Sequence, residues 1–401
     1  MFDIAVIGLG LVGSAALRHL ALSDASVVGI GPGEPTDWSV NSGPFASHYD
    51  SGRVTRRLDA RYEWAVLASR SIAQYPEIEA QSRLRFHRPG GFIFVRNDPI
   101  GIEQQQAVIE RLDLPVVATT TDAVRDEFQD YEFPSQWTAL YEPSPAGHID
   151  PRVMVKAQLT VAHQLGASIH RKHVTTLQRT AGGFSIELSG GVAVQAARVL
   201  LATGAYLNDL APEPLAAQVV PEAVILAAVS PAEATRLSYL PSMIYLLDHP
   251  IHDDVYIVPP VLYPDGVHYV KMGGSIGGVE PLATSAEKRT WMSGSDADDQ
   301  IGWMRDVLLE VMPRATFEQF VMKPCLITDT PHGLPYIDEV ADGLFVAVGG
   351  NGHAAKSSDA IGALGASLAI NGTWTDPDLE ALSFRAVFGE YEAPRDSRHG
   401  T

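Results

Sequence analysis

Cysteine is all but missing from this chain. Its 401 residues include one, Cys325, which excludes an internal disulfide and fits a reducing compartment. Basic residues are also scarce: 29 Lys and Arg against 48 Asp and Glu leave a net charge of −19. That balance argues against nucleic acid or an anionic membrane surface as the main partner, and it makes any local cluster of arginines notable. No apolar run is long enough to span a bilayer. The opening "MFDIAVIGLG" enters a strand at once, without a basic region, apolar stretch or cleavage site ahead of it. Neither a metal signature such as H-E-x-x-H nor a G-x-S-x-G nucleophile elbow occurs, so no metal is expected. No internal repeat is evident. These absences describe a cytoplasmic globular protein.

What is present is a 46% hydrophobic composition, enough for a large core divided between two lobes. "FDIAVIGLGLVGSAALRHLAL" reads as strand, glycine turn and helix, and a short strand follows at 27–30. Gly8, Gly10 and Gly13 form G-x-G-x-x-G in that setting, the pattern of a dinucleotide pyrophosphate site. The acidic residue that usually ends the second strand and binds a ribose is replaced by Gly31, with Glu34 three residues later as the candidate that reaches back. Residues 62–79 read as a helix, and so does a segment opened by Asp150 and Pro151 and closed by Gly166. The stretch 211–285 is strand-like. Residues 296–311 predict one helix with Ile301, Met304, Leu308 and Val311 inward.

Several residue types invite chemistry. Arg53, Arg56 and Arg57 sit together in "FASHYDSGRVTRR", where guanidinium groups either grip a carboxylate or phosphate or form a solvated face. Lys271 alternates within the β run "VHYVKMGGS", a place where lysine ordinarily marks a solvent face or an edge. Cys325 alone reads as an inert buried thiol. His163, His170 and His173 run from a helix end into a strand and read as structural or exposed.

Taken together, the G-x-G-x-x-G, "SHYDSGRVTR", "GHIDPRVMVKAQL", "VLLATGAY", "YVKMGG", "PCLITDTPHGLPYID" and "GGNGHAAKSS" blocks span nearly the whole chain. In this order they resemble the flavin-dependent amine oxidases of the D-amino-acid-oxidase superfamily, and within it the monomeric sarcosine oxidase group. The resemblance implies an α/β fold: a discontinuous Rossmann-like FAD-binding domain (1–84, 150–210, 322–401) with an inserted antiparallel β-sheet lobe for substrate (85–149, 211–321). It implies FAD bonded covalently through Cys325. Further cofactor contacts are implied at Ser47, His48, Arg53, Val174, Thr203, Gly204, Ala205, Gly350, Asn351, Gly352, His353 and Lys356. Lys271 is implied to promote reaction with oxygen, Arg56 and Lys356 to hold a substrate carboxylate, and His353 to add a polar contact. A helix beginning near Ser357 is implied to aim its positive end at the flavin.

Departures from the group's pattern at Tyr49, Gly52 and Ser275, and a longer stretch from Tyr256 to Lys271, place the difference in the substrate pocket, with Tyr49, Tyr256 and Ser275 lining it. The expected reaction is oxidation of a small carboxylate-bearing amine, with oxygen reduced to hydrogen peroxide. Two other readings stay open: a dehydrogenase of the same superfamily with another acceptor, and a dinucleotide-binding protein without turnover. The expected partners are a small-molecule amino acid and oxygen; a monomer is compatible with the sequence.

Overall fold

A computed structural model describes residues 1–248, 252–274, 276 and 279–393. The opening strand, Phe2–Ile7, lies parallel between Val27–Ile30 and Ala193–Leu201. Its last four residues are buried, as expected for a strand covered on both faces. Ser168–His170 and the hairpin Val174–Thr180/Gly183–Leu188 extend this sheet at its edges. Leu344–Val348 joins it in parallel beside Ala193–Leu201, and Tyr336–Ala341 pairs beyond it. The order is that of a Rossmann-like sheet, made from three separated parts of the chain.

Four helices build the layers around that sheet. Leu11–Leu20 follows the glycine turn, Tyr62–Ser82 runs slightly past the expected end, and Ala354–Asn371 starts three residues before Ser357. Pro151–Gln164 begins as its sequence predicts: the Asp150 carboxylate accepts from the Val153 amide at 3.0 Å, Pro151 takes the first helical position, and Gly166 turns the chain at φ +100°. Buried Arg18 joins three of these helices, donating to Gln158 at 2.6 Å and to Asp359 at 2.8 Å.

The second sheet runs in the order Gln319–Asp329, Gln218–Val229, His268–Gly274, Asp254–Leu262, Ser242–Leu246, Phe92–Arg96, Thr138–Glu142 and Val117–Thr120. It departs from the expected antiparallel sheet at one junction, where Phe92–Arg96 pairs in parallel with Ser242–Leu246. The expected return to the cofactor side at 322 falls inside the strand Gln319–Asp329, which pairs along its length with Gln218–Val229. The chain rejoins the first sheet only at Tyr336. The helix expected over 296–311 also divides, into a 3₁₀ turn, Asp296–Gln300, and a helix, Ile301–Val311. Within that helix Met304, Leu308 and Val311 are buried as expected, while Ile301, its first residue, is exposed.

Register arranges the second sheet in cross-strand rows. One row runs Phe92, Ser242, Val258, Lys271, Leu226, Val321; the next runs Phe94, Ile244, Tyr256, Gly273, Val224, Lys323. A third brings Leu246 beside Asp254 and Glu222 beside Cys325. Side chains two residues apart on a strand share a face, so these rows line one surface, turned toward the first sheet.

The tightest packing on the cofactor side is between Leu11–Leu20 and Ala354–Asn371. A Cβ added at Gly362 would lie 2.6 Å from the Ala16 nitrogen and 2.7 Å from the Ala15 Cβ. We predict that Gly362→Val lowers stability by about 1–3 kcal/mol in urea denaturation, the range for overpacking a close contact. An unchanged midpoint would mean that the two helices are not in this contact.

Candidate active site

Between the two sheets lies a cleft of about 2710 Å³. Gly8, Gly10 and Gly13 line or support one end of it. A Cβ at Gly13 would stand 1.8 Å from the Gly8 carbonyl oxygen, so only glycine lets the helix Leu11–Leu20 begin so close to the turn. Its first amides are thereby brought to the cleft, where an anion would meet them. Gly31, found in place of the usual ribose-binding acid, has a steric reason: a Cβ there would lie 2.6 Å from the Leu9 nitrogen. Glu34 does line the cleft, but Arg152 holds it in a two-point pair at 2.7 Å and 2.7 Å.

The cleft carries the marks of a polar cofactor. His48 Nδ1 and Thr203 Oγ1, both at the cleft, are buried without a hydrogen-bond partner among the described residues. Burial in the cleft wall, with help from Arg171, lowers the His48 pKa to about 3 and keeps the ring neutral. Val174, Gly204 and Ala205 line the same cavity. Such a set of glycine amides, a hydroxyl and a neutral imidazole fits the phosphates and hydroxyls of FAD.

Lys271 is fully buried in a central strand, not on a solvent face or an edge. Its ammonium donates to the Asp50 carboxylate and, at 2.8 Å, to the Gly52 carbonyl, and lies 5.1 Å from the Tyr256 ring centre. Asp50 also accepts from Arg53 and, at 2.6 Å, from the Tyr263 hydroxyl. Burial would raise the Asp50 pKa, but Arg53 and Lys271 outweigh it and hold the group ionised. Burial and the neighbouring Arg53 lower Lys271 to about 8, against the pull of Asp50. Asp50 and Arg53 line the cleft, with Lys271 behind them. Arg53 also reaches the Cys325 sulfur at 3.5 Å and the Ser47 carbonyl at 3.3 Å. Cys325 lines the cleft from the second sheet.

A second charged cluster centres on Asp59. Its Oδ2 accepts from Lys356 at 2.6 Å, His353 at 2.9 Å and Arg56 at 3.3 Å. Burial opposes ionisation of Asp59, yet Lys356, His353 and Arg56 hold its pKa well below the usual carboxylate range. Lys356 is lowered to about 8, first by burial, with Asp59 opposing. His353 stacks on Trp64, ring centres 5.0 Å apart, and burial keeps its pKa below the ordinary value. The Arg56 guanidinium lies 5.2 Å from the Phe92 ring centre. Arg56 and, below about pH 8, Lys356 against the one carboxylate of Asp59 leave a net positive charge at this wall of the cleft. The loop before Lys356 is fixed by Asn351, which adopts φ +46° and whose side chain accepts from the Thr330 amide at 2.8 Å. Gly350, Asn351 and Gly352 all line the cleft.

Lys271, Arg53 and Cys325 thus fall in one cluster, and Arg56, His353 and Lys356 in another. Tyr256 lines the cleft within the first cluster, in the row between those of Lys271 and Cys325. Tyr49, expected in the substrate pocket, lines the cleft and donates its hydroxyl to the Gly33 carbonyl at 2.9 Å. Ser275 lies outside the described residues. Arg57 turns away to pair with buried Glu142 at 2.8 Å. Sequence reasoning missed Asp50, Asp59 and Glu222. Asp50 and Asp59 stand three residues from Arg53 and Arg56, and Glu222 is the one acid in the apolar strand "QVVPEAVILAAV".

Residues 3–368 match the family model described as FAD dependent oxidoreductase, DAO. Monomeric sarcosine oxidase from Streptomyces avermitilis is 32% identical over 173 residues, 42% of this chain and 43% of that protein. N-methyl-L-tryptophan oxidase from Yersinia pestis is 23% identical over 214 residues, 53% of this chain and 56% of the relative. The chain therefore spans about half the length of these relatives. In fold it is similar to NikD, an unusual amino acid oxidase essential for nikkomycin biosynthesis, with TM-score 0.76, 20% identity and coverage of 98% and 99% of the two chains. Glycine oxidase from Bacillus cereus gives TM-score 0.67 at 17% identity, covering 93% and 96%. No helix among the described residues is long and apolar enough to cross a membrane, and none of their acidic, histidine and cysteine groups forms a metal cluster. A glycine-turn cleft between a Rossmann-like sheet and a second sheet, matched by the family model along nearly its whole length, makes this chain a member of the DAO family of FAD-dependent oxidoreductases.

Proposed function

We propose that the protein oxidises the C–N bond of a carboxylate-bearing secondary amine, with oxygen as acceptor. The observation that carries this reading is the positive wall formed by Arg56 and Lys356 around Asp59, on the same cleft as the dinucleotide turn. Bound FAD would supply the two-electron oxidation, leaving an imine for water to hydrolyse and passing the electrons to oxygen as hydrogen peroxide. The chain supplies position and charge. Arg56 and Lys356 orient the carboxylate, which fixes where the amine's C–H lies. Arg53 and Lys271, balanced in part by Asp50, leave net positive charge on the opposite wall, where negative charge develops during the oxygen step. We assign the domains as 1–84, 150–210 and 330–401 for the cofactor, with the intervening segments for substrate, a division carried by sheet membership.

One observation favours a dehydrogenase instead: Asp50 stands between Lys271 and the cleft. Oxygen consumption with an N-methyl amino acid separates the two readings. An oxidase consumes one oxygen per amine without an added carrier; a dehydrogenase turns over only with an added dye.

The Cys325 sulfur, on the cleft face and beside Arg53, supports covalent attachment of the flavin. Acid-precipitated protein is expected to stay yellow, and Cys325→Ala to release its flavin to the supernatant. Complete release from the unaltered protein would rule the bond out.

For the carboxylate clamp, Lys356→Met removes a charge-assisted hydrogen bond of about 1.5–3 kcal/mol, roughly 10- to 100-fold in kcat/KM. The loss should be seen with an N-methyl amino acid and be much smaller with the corresponding N-methylamine. Equal losses on both would sink the clamp.

For the oxygen step, Lys271 is charged below its pKa of about 8 and neutral above it. Reoxidation of the reduced protein should therefore slow as pH rises through about 8, while anaerobic bleaching by substrate changes less. Lys271→Met should slow reoxidation by roughly 10²–10³ and abolish that inflection. A pH-independent reoxidation rate, the same in both proteins, would assign Lys271 a purely structural part.

A further inference from the structure

We infer that His353 is the base that takes the proton from the substrate's ammonium nitrogen, with Asp59 holding the ring so that its Nε2 lone pair serves the cleft. The assignment rests on the amine-oxidation reading above and adds a catalytic residue to it. An ammonium nitrogen has no lone pair, so the adjacent C–H cannot give up a hydride until a base has removed the proton.

His353 stands just before Ala354–Asn371, and its amide donates to the Gly350 carbonyl at 2.8 Å. Its Nδ1 lies 2.9 Å from Asp59 Oδ2. An ionised carboxylate can only accept, so the ring proton sits on Nδ1 and the lone pair on Nε2. Nε2 has no hydrogen-bond partner among the described residues, and the residue lines the cleft. The ring is held in plane by Trp64, which stacks on it with 19° between the rings. Trp64 is fixed in turn by its indole nitrogen, which donates to the Gly333 carbonyl at 2.9 Å. A histidine that merely braced the helix would need neither a fixed ring nor an open nitrogen on the cleft.

The shared oxygen sets the position. Arg56 and Lys356, which orient the carboxylate, reach the same Asp59 Oδ2 at 3.3 Å and 2.6 Å. In an α-amino acid the nitrogen is two bonds from the carboxylate carbon, so a carboxylate held on those cations keeps the ammonium beside the same cluster.

Charge ties the base to the presence of its ligand. Burial disfavours an imidazolium at His353, Asp59 favours it, and Lys356 and Arg56 oppose it. A bound carboxylate offsets those two cations, so Nε2 accepts a proton more readily once substrate is in place. The step balances within the cluster. The ammonium N–H bond breaks, an N–H bond forms at Nε2, and the positive charge passes to an imidazolium paired with Asp59.

Anaerobic bleaching of the flavin-loaded protein tests this with nitrogens of different basicity: the N-methyl and N-trifluoroethyl derivatives of glycine and of phenylalanine. The trifluoroethyl nitrogen is already unprotonated at neutral pH and needs no base. His353→Asn keeps an N–H toward Asp59 and removes Nε2. It should slow bleaching by the N-methyl compounds by about 10²–10⁴, and by the trifluoroethyl compounds by less than about tenfold. Binding of propionate, read from the flavin spectrum, should persist. Added imidazole should restore part of the N-methyl rate in His353→Gly; if His353→Asn does not fold, that rescue or its absence decides. Equal losses on both nitrogens, or no loss, overturn the assignment. Loss of propionate binding in a folded variant overturns it too, since His353 would then belong to the clamp. If no compound bleaches the unaltered protein, the amine-oxidation reading is what fails. Proton uptake on propionate binding at about pH 6, where Lys356 is already charged, then decides the base. Uptake by the unaltered protein that is missing from His353→Asn supports it; uptake absent from both, or equal in both, overturns it.

Discussion

Burying cations in a dry cleft requires counter-ions, and the two walls of this site depend on one carboxylate each. Asp59 gathers Arg56, His353 and Lys356; Asp50 gathers Arg53 and Lys271. Lysine or arginine desolvated alone would lose its proton or its place. Paired with less negative charge than they carry, these groups stay ionised and leave each wall net positive. The site is therefore preorganised for anions before any ligand arrives, in a chain whose overall charge is −19.

The rest of the architecture holds those two carboxylates in place. Asp59 stands just before the helix Tyr62–Ser82, whose Trp64 stacks on His353 at the start of Ala354–Asn371. That last helix can lie against Leu11–Leu20 because Gly362 has no side chain. Asp50 belongs to the irregular segment before Arg53, and it is tied to the second sheet through Tyr263 and Lys271. One carboxylate thus joins two helices, while the other joins the first lobe to the second. Loss of either would be felt as a change in lobe geometry as well as in charge.

The third, acidic row of the second sheet differs in kind. Where Lys and Arg hold Asp50 and Asp59 ionised, burial, with Asp254 and Asp329 nearby, pushes the Glu222 carboxyl well above the ordinary carboxylate range.

Local patterns were enough for much of this. The glycine turn with its flanking strand and helix, the Asp150–Pro151 start and the strand-rich middle follow from backbone chemistry acting over a few residues, and the structure keeps them. The rough division into a cofactor lobe and an inserted sheet was legible because ordered blocks recur far apart in the chain. What tertiary structure alone decided was pairing. Lys271 lies in an interior strand only because Gln218–Val229 and Asp254–Leu262 flank it, and no local signal states which strands are neighbours. Asp59 meets Lys356 from 297 positions away, and Arg57 leaves its arginine neighbours for Glu142. Ile301, at the first position of its helix, is exposed although its spacing matches the buried Met304, Leu308 and Val311. Periodicity and turn chemistry are short-range and so can be read from sequence; strand register and the ion pairs that join separate elements link residues tens to hundreds of positions apart and exist only once the chain has closed on itself.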